Sequence, residues 1–120
     1  MEDESMEFVF NDIPEGFFKA RVSRIKRENG IFGQYLRITF LIIEEGQLNH
    51  YQFSGTVKPT LLKQSKFYRW ISNILGYSPD HKISTQQIIG RECFVYVARQ
   101  NNHYCVIDVS TNPDGVSPPF

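Results

Sequence analysis

Ser65-Lys66-Phe67-Tyr68-Arg69-Trp70-Ile71-Ser72-Asn73-Ile74-Leu75-Gly76 is the stretch on which the fold turns. Phe67, Trp70, Ile71, Ile74 and Leu75 recur at i, i+3, i+4, i+7 and i+8, the apolar stripe of an amphipathic helix. Ser65 stands where an N-cap is wanted and Gly76 where a left-handed C-terminal residue is wanted. Pro59 upstream and Tyr77-Ser78-Pro79-Asp80 downstream separate the stretch from its neighbours. Trp70 lies mid-stripe and is expected in the core. Lys63, Lys66, Arg69 and Lys82 are expected on the solvated side.

Outside this stretch the apolar period falls to two. A first strand is predicted over Phe17–Lys26, where Phe18, Ala20 and Val22 alternate with Lys19, Arg21 and Ser23. After Ser23 the alternation slips by one, which predicts a bulge or sharp bend. Glu28–Gly33 reads as a glycine-bounded loop. Gln34–Ile43 is the clearest strand, with Leu36, Ile38, Phe40 and Ile42 on one face and Tyr35, Arg37 and Thr39 on the other. A third strand runs from His50 to about Lys58, with a bend at Gly55. Ser84–Ile89 is expected to form one short turn. Two more strands, Glu92–Arg99 and His103–Val109, meet at Gln100-Asn101-Asn102, where paired Asn residues tolerate positive φ. A two-residue turn groups Phe94, Tyr96, Cys105 and Ile107 on one face; a three-residue turn groups Cys93, Val95, Cys105 and Ile107.

Five strands with one helix between the third and fourth is the order of a five-stranded OB-fold barrel, all-β with one helix. The aromatic stripe would plug the barrel's open end. An SH3-like barrel has five strands without a helix of this length here, and a split sandwich of another topology is the competing architecture.

The 120 residues make room for one domain. The expected organisation is an acidic arm over 1–16, the OB domain over 17–109 and a flexible tail over 110–120. Ten Phe, six Tyr and one Trp exceed what so small a core can hold, so some rings are expected at the surface. The formal charge of zero is unevenly spread. Residues 1–16 contain six acids and no base, whereas residues 17–120 contain thirteen bases and seven acids. A basic body suits a polyanionic partner.

Cys93 and Cys105 lie in apolar runs and are expected as free thiols; no metal site is expected from them. No apolar run approaches a membrane span, and the acidic N-terminus has the wrong sign for a signal peptide. The expected location is the cytoplasm, or the host cytoplasm for a phage protein. The chain has no Gly-rich phosphate loop, no Ser/His/Asp set and no acid pair in apolar surroundings, so neither an enzyme nor a cofactor is expected. Asp108 and Glu92 have no evident partner.

Gly33-Gln34-Tyr35-Leu36-Arg37-Ile38-Thr39-Phe40 resembles the second strand of phage and prokaryotic OB-fold single-stranded DNA-binding proteins, of the replication protein A and bacterial single-strand-binding type. Ser65-Lys66-Phe67-Tyr68-Arg69-Trp70-Ile71 with Leu75-Gly76, and Ile89-Gly90-Arg91-Glu92-Cys93-Phe94-Val95, resemble the same family. The likeness spans roughly residues 12–110 and implies single-strand binding by the open barrel face. Pro118-Pro119-Phe120 resembles the closing residues of bacterial single-strand-binding proteins. That likeness implies docking of replication or repair proteins through Pro119 and Phe120. The acidic stretch that precedes those residues in the family is reduced here to Asp114.

A single strand offers bases to stack and phosphates to neutralise, so binders interleave aromatics with cations. In an OB fold the groove crosses strands two and three, between the loop after strand one and the loop joining strands four and five. Tyr35, Arg37 and Thr39 share the exposed face of strand two. Lys19 and Arg21, then Arg24, Lys26 and Arg27, are expected along the phosphate path; the plainer reading is a solvated basic edge. Phe32 is a stacking ring or a lid. Lys58 ends strand three at the groove, and Arg99, His103 and Tyr104 flank the last hairpin turn. These candidates point to a protein that coats or protects single-stranded DNA during replication or recombination. An OB module for protein assembly, with the rings at a homo-oligomer interface, and an RNA-binding protein are the alternatives.

Overall fold

The computed structural model describes residues 5–10, 12–60, 62–80 and 82–115. Alternating side chains build five strands: β1 (Gly16–Gly30), β2 (Gly33–Ile42), β3 (Gln52–Val57), β4 (Glu92–Gln100) and β5 (His103–Ser110). Helix α1 (Lys66–Leu75) and the single turn α2 (Thr85–Ile88) lie between β3 and β4. The strands form one antiparallel sheet in the order β3-β2-β1-β4-β5.

Strand β1 organises the sheet. Its first part, Gly16–Arg21, pairs with β4, and from Ala20 to Gly30 it pairs with β2. The register to β2 shifts between Val22 and Arg24, so Ser23 is the extra residue of a β-bulge, where the alternation slips. The strand also runs further than the sequence suggests. The expected loop over Glu28–Gly33 is instead a continuation of the ladder to the pair Gly30–Gly33, leaving only Ile31 and Phe32 in the turn.

The sheet is not closed by hydrogen bonds; among the described residues no ladder joins its edge strands β3 and β5. The two edges nevertheless approach closely. A Cβ on Gly55 would lie 2.6 Å from the Val106 carbonyl oxygen and 2.7 Å from the Trp70 ring. Glycine is needed at this point of β3 to let two backbones and an indole meet.

Trp70 is fully buried and meets Phe40 edge-on, with ring centroids 6.4 Å apart. Around them pack Val22, Ile38, Ile42, Ile71, Ile74, Val95, Val97, Val106 and Val109. Ser65 caps α1, its Oγ accepting from the Tyr68 N–H at 3.1 Å, and Gly76 closes the helix with φ 82°. Buried Asn73 donates to the Val109 carbonyl at 2.9 Å and ties α1 to β5.

The β4–β5 hairpin follows neither grouping expected from turn length alone. Asn101 and Asn102, at φ 50° and 67°, make a two-residue turn. A second bulge, with Ile107 as the extra residue, then resets the parity. Cys93, Val95 and Val97 therefore face inward with Val106 and Val109, while Phe94 and Tyr96 turn outward, half-buried. Tyr96 stacks edge-on with Phe17 at 5.0 Å. Past the buried Ser110 the chain turns back, so that a Cβ on Gly115 would lie 2.5 Å from the Phe17 ring. Phe8, Val9 and Phe10 form no edge strand and are exposed.

Candidate nucleic-acid interface

Directly opposed residues of an antiparallel pair share a face. Arg24 opposes Thr39, which opposes Ser54; Lys26 opposes Arg37, which opposes Thr56; Glu28 opposes Tyr35. The bulge makes this arrangement. Arg24 and Lys26 have the sequence parity of buried Ala20 and Val22, and the extra residue at Ser23 turns them outward while sending Ile25 toward the core. The Ser23 hydroxyl donates to the Thr39 carbonyl at 3.1 Å and pins the bulge. Lys19, Arg21, Arg24, Lys26 and Arg37 thereby share one side of the sheet. Arg27 does not: it opposes Leu36, on the other face.

The cations are not equally available. Lys19 and Arg21 both reach Glu92, at 3.5 and 3.7 Å. Arg37 donates from Nε to Glu28 Oε1 at 2.8 Å and from Nη1 to Ser54 Oγ at 3.2 Å. Tyr35 donates its hydroxyl to Glu28 Oε2 at 2.7 Å. Its ring has the Arg37 guanidinium 5.9 Å from the centroid. The hydrogen bond from Arg37, then that from Tyr35, hold the Glu28 carboxyl below the usual carboxylate range; the same bond to Glu28 raises Arg37. Glu28 was not legible as a site residue, because i, i+7 and i, i+9 contacts arise only when the hairpin register is known.

Two hollows flank this network. One, of about 650 Å³, lies between the Ile31–Phe32 turn, the end of β3 at Lys58, and the start of α1 at Lys66 and Phe67. The other, of about 460 Å³, lies between Arg37, the β3 segment Ser54–Thr56, and Gln100, His103 and Cys105 of the last hairpin. Tyr35, Thr56 and Lys66 line both, so the hollows adjoin. The groove thus runs from the β1–β2 turn to the β4–β5 turn.

Lys66 is exposed, as expected for the solvated side of the helix, and from there it also lines both hollows. Its ammonium lies 4.7 Å from the Trp70 ring centroid, where it covers the buried indole from the groove side. The i, i+4 spacing of Lys66 and Trp70 is the sequence signal for that contact. Arg69 is paired with Asp108 at 3.1 Å, which gives that acid the partner the sequence did not reveal, as Glu92 gains Lys19 and Arg21.

At the far end His103 lines the groove with Gln100 and Cys105, two residues that sequence reasoning passed over. Arg99 and Tyr104 do not join them. They oppose each other one rung away, on the other face, where Tyr104 packs against the core and the Arg99 N–H donates to Glu15 at 3.1 Å. Thr39 is half-buried beneath the cationic row. Pro119 and Phe120 lie outside the described residues.

Among the described residues no group of three or more His, Cys, Asp or Glu could hold a metal ion, and no helix is long and apolar enough to cross a membrane. No protein-family model and no curated protein sequence matches the chain.

Proposed function

We propose that the chain is an OB-fold barrel that binds single-stranded nucleic acid, non-catalytically, along the groove from Phe32 to His103. One observation carries this reading: Arg24, Lys26 and Arg37 form a contiguous cationic row across β1 and β2, with the Tyr35 ring next to it. Cations beside an accessible ring supply the two interactions a single strand offers, phosphate neutralisation and base stacking. The barrel assignment is supported by the bulged β1 shared between β2 and β4, by α1 between β3 and β4, and by the approach of β3 to β5 at Gly55.

Binding proceeds by exchange. In the free protein Glu28 occupies Arg37. An incoming phosphate takes over the guanidinium, while Tyr35 receives a base and Lys58 and Lys66 line the path. Coating of single-stranded DNA in replication or recombination is the role this chemistry suits, with Pro119 and Phe120 as a docking point for partner proteins.

A polarisation titration with labelled oligo-dT, oligo-rU and duplex, at two salt concentrations, tests the proposal. Preference for a single strand over duplex, with affinity falling steeply as salt rises, is the expected result. Tighter oligo-rU than oligo-dT binding would move the assignment to RNA. Equal affinity for duplex, or no binding at low salt, would overturn it in favour of a protein-assembly module.

A further inference from the structure

The β1–β2 hairpin has features that a groove binder does not need. β4 leaves β1 at Arg21, and β3 pairs with β2 only from Leu36 to Leu41. The rungs Glu28–Tyr35, Asn29–Gln34 and Gly30–Gly33 therefore belong to a two-stranded ribbon that extends past the rest of the sheet. Its turn is made by Ile31 and Phe32, 96% and 89% exposed. Two-residue hairpin turns favour Gly, Asn and Asp, whose backbones or side chains suit the bend. Two bulky apolar residues at such a tip gain nothing from burial in the free chain and point to a surface that the tip meets.

Charge identifies that surface. At the base of the ribbon, on the same β1–β2 hairpin, Arg24 and Lys26 stand on one face and Arg27 on the other. An apolar tip with cations on both flanks complements a stacked base pair bordered by phosphates. Directly below the tip is Tyr35: a Cβ on Gly30 would lie 2.9 Å from its ring.

We propose that this ribbon is a wedge for junctions between double- and single-stranded nucleic acid. Ile31 and Phe32 pack on the terminal base pair, as apolar side chains do when they enter or cap a base step. Arg27 meets duplex phosphates on the far side. Arg24 and Lys26 lead the unpaired strand onto Tyr35 and into the groove. The inference rests on the groove reading above and adds the substrate class, a fork rather than a free strand.

The test uses the full chain and three labelled DNAs: a dT oligonucleotide, a hairpin duplex, and the same hairpin carrying that dT arm. The forked DNA should bind about fivefold or more tightly than the dT oligonucleotide, the scale of one added stacking contact. Ile31→Ser, Phe32→Ala and Arg27→Gln should each move the fork-to-oligonucleotide affinity ratio toward one, with circular dichroism confirming the fold. A parent ratio of one, or a ratio that survives all three changes, would overturn the wedge while leaving groove binding intact. Failure of the parent to bind the dT oligonucleotide would instead remove the groove reading and the wedge with it. A lower sedimentation coefficient for Ile31→Ser in the absence of DNA would also overturn it, since the tip would then be a contact between copies of the chain.

Discussion

The Arg37 guanidinium is held by Glu28 across 2.8 Å, two rungs along the same face from the residue that directly opposes it, Lys26. Like charges facing each other across two strands destabilise a ladder. Glu28 offsets the Lys26–Arg37 repulsion, and in doing so it occupies the central cation of the groove.

Glu28→Gln removes the competing carboxylate. Single-strand affinity at low salt is expected to rise several-fold, and the gain should shrink toward nothing at high salt as screening grows. A polarisation titration of parent and variant measures it. Weaker binding would mean that Glu28 serves mainly to orient Tyr35 and Arg37.

The same pair sets an acid-dependent contribution to stability. Its hydrogen bonds from Arg37 and Tyr35 hold the Glu28 carboxyl below its ordinary value of 4.5. The stabilisation is therefore complete above that ordinary value and lost as pH falls through the lowered one. Thermal melts over a descending pH series should show the parent losing more stability than Glu28→Gln in that acid window. The two should run parallel nearer neutrality.

Tyr35→Ala should weaken single-strand binding by about 1–3 kcal/mol, the range for one stacked base. Arg37→Ala should weaken it too and reduce the salt slope by about one. It also leaves the Glu28 carboxylate, still held by Tyr35, without a neutralising cation beside the proposed path, so the double variant with Glu28→Gln should recover part of the loss. Titrations at several salt concentrations separate these effects; parental binding by both single variants would put the strand on another face.

The two thiols differ in kind. Cys93 is buried, and desolvation pushes it up to about 12, whereas Cys105 is half-exposed in the groove, its Sγ 3.4 Å from Gln100 Oε1. Alkylation of the native chain should modify Cys105 first and spare Cys93 until unfolding. Saturating oligo-dT should slow the Cys105 reaction, read by mass spectrometry. An unchanged rate would place the bound strand away from the β5 side of the groove.

Gly55→Ala puts a methyl group against the Val106 carbonyl and the Trp70 ring, neither of which has room to yield. The expected loss is about 1–3 kcal/mol, measured by urea unfolding.

Local features of the chain were legible without coordinates because their causes are local. The stripe Phe67–Leu75 with Ser65 and Gly76 specifies α1, since capping and helical period act within a few residues. The slip after Ser23 marks the bulge, because a parity change is written into the alternation itself. Two Asn residues mark the last turn, because their backbones accept positive φ.

Pairing over long separations decided the rest. The parity of β5 could not be read from turn length, because the bulge at Ile107 lies beyond the turn and answers to the packing of Val106 and Val109. Lys66 reaches the groove because α1 is laid against β5, and Arg27 leaves it because Leu36 opposes it. Glu28 meets Arg37 only once β1 and β2 are in register. Side-chain alternation encodes which residues share a strand face, but a charge gains its partner from the neighbouring strand. That neighbour is chosen by burial of the whole core.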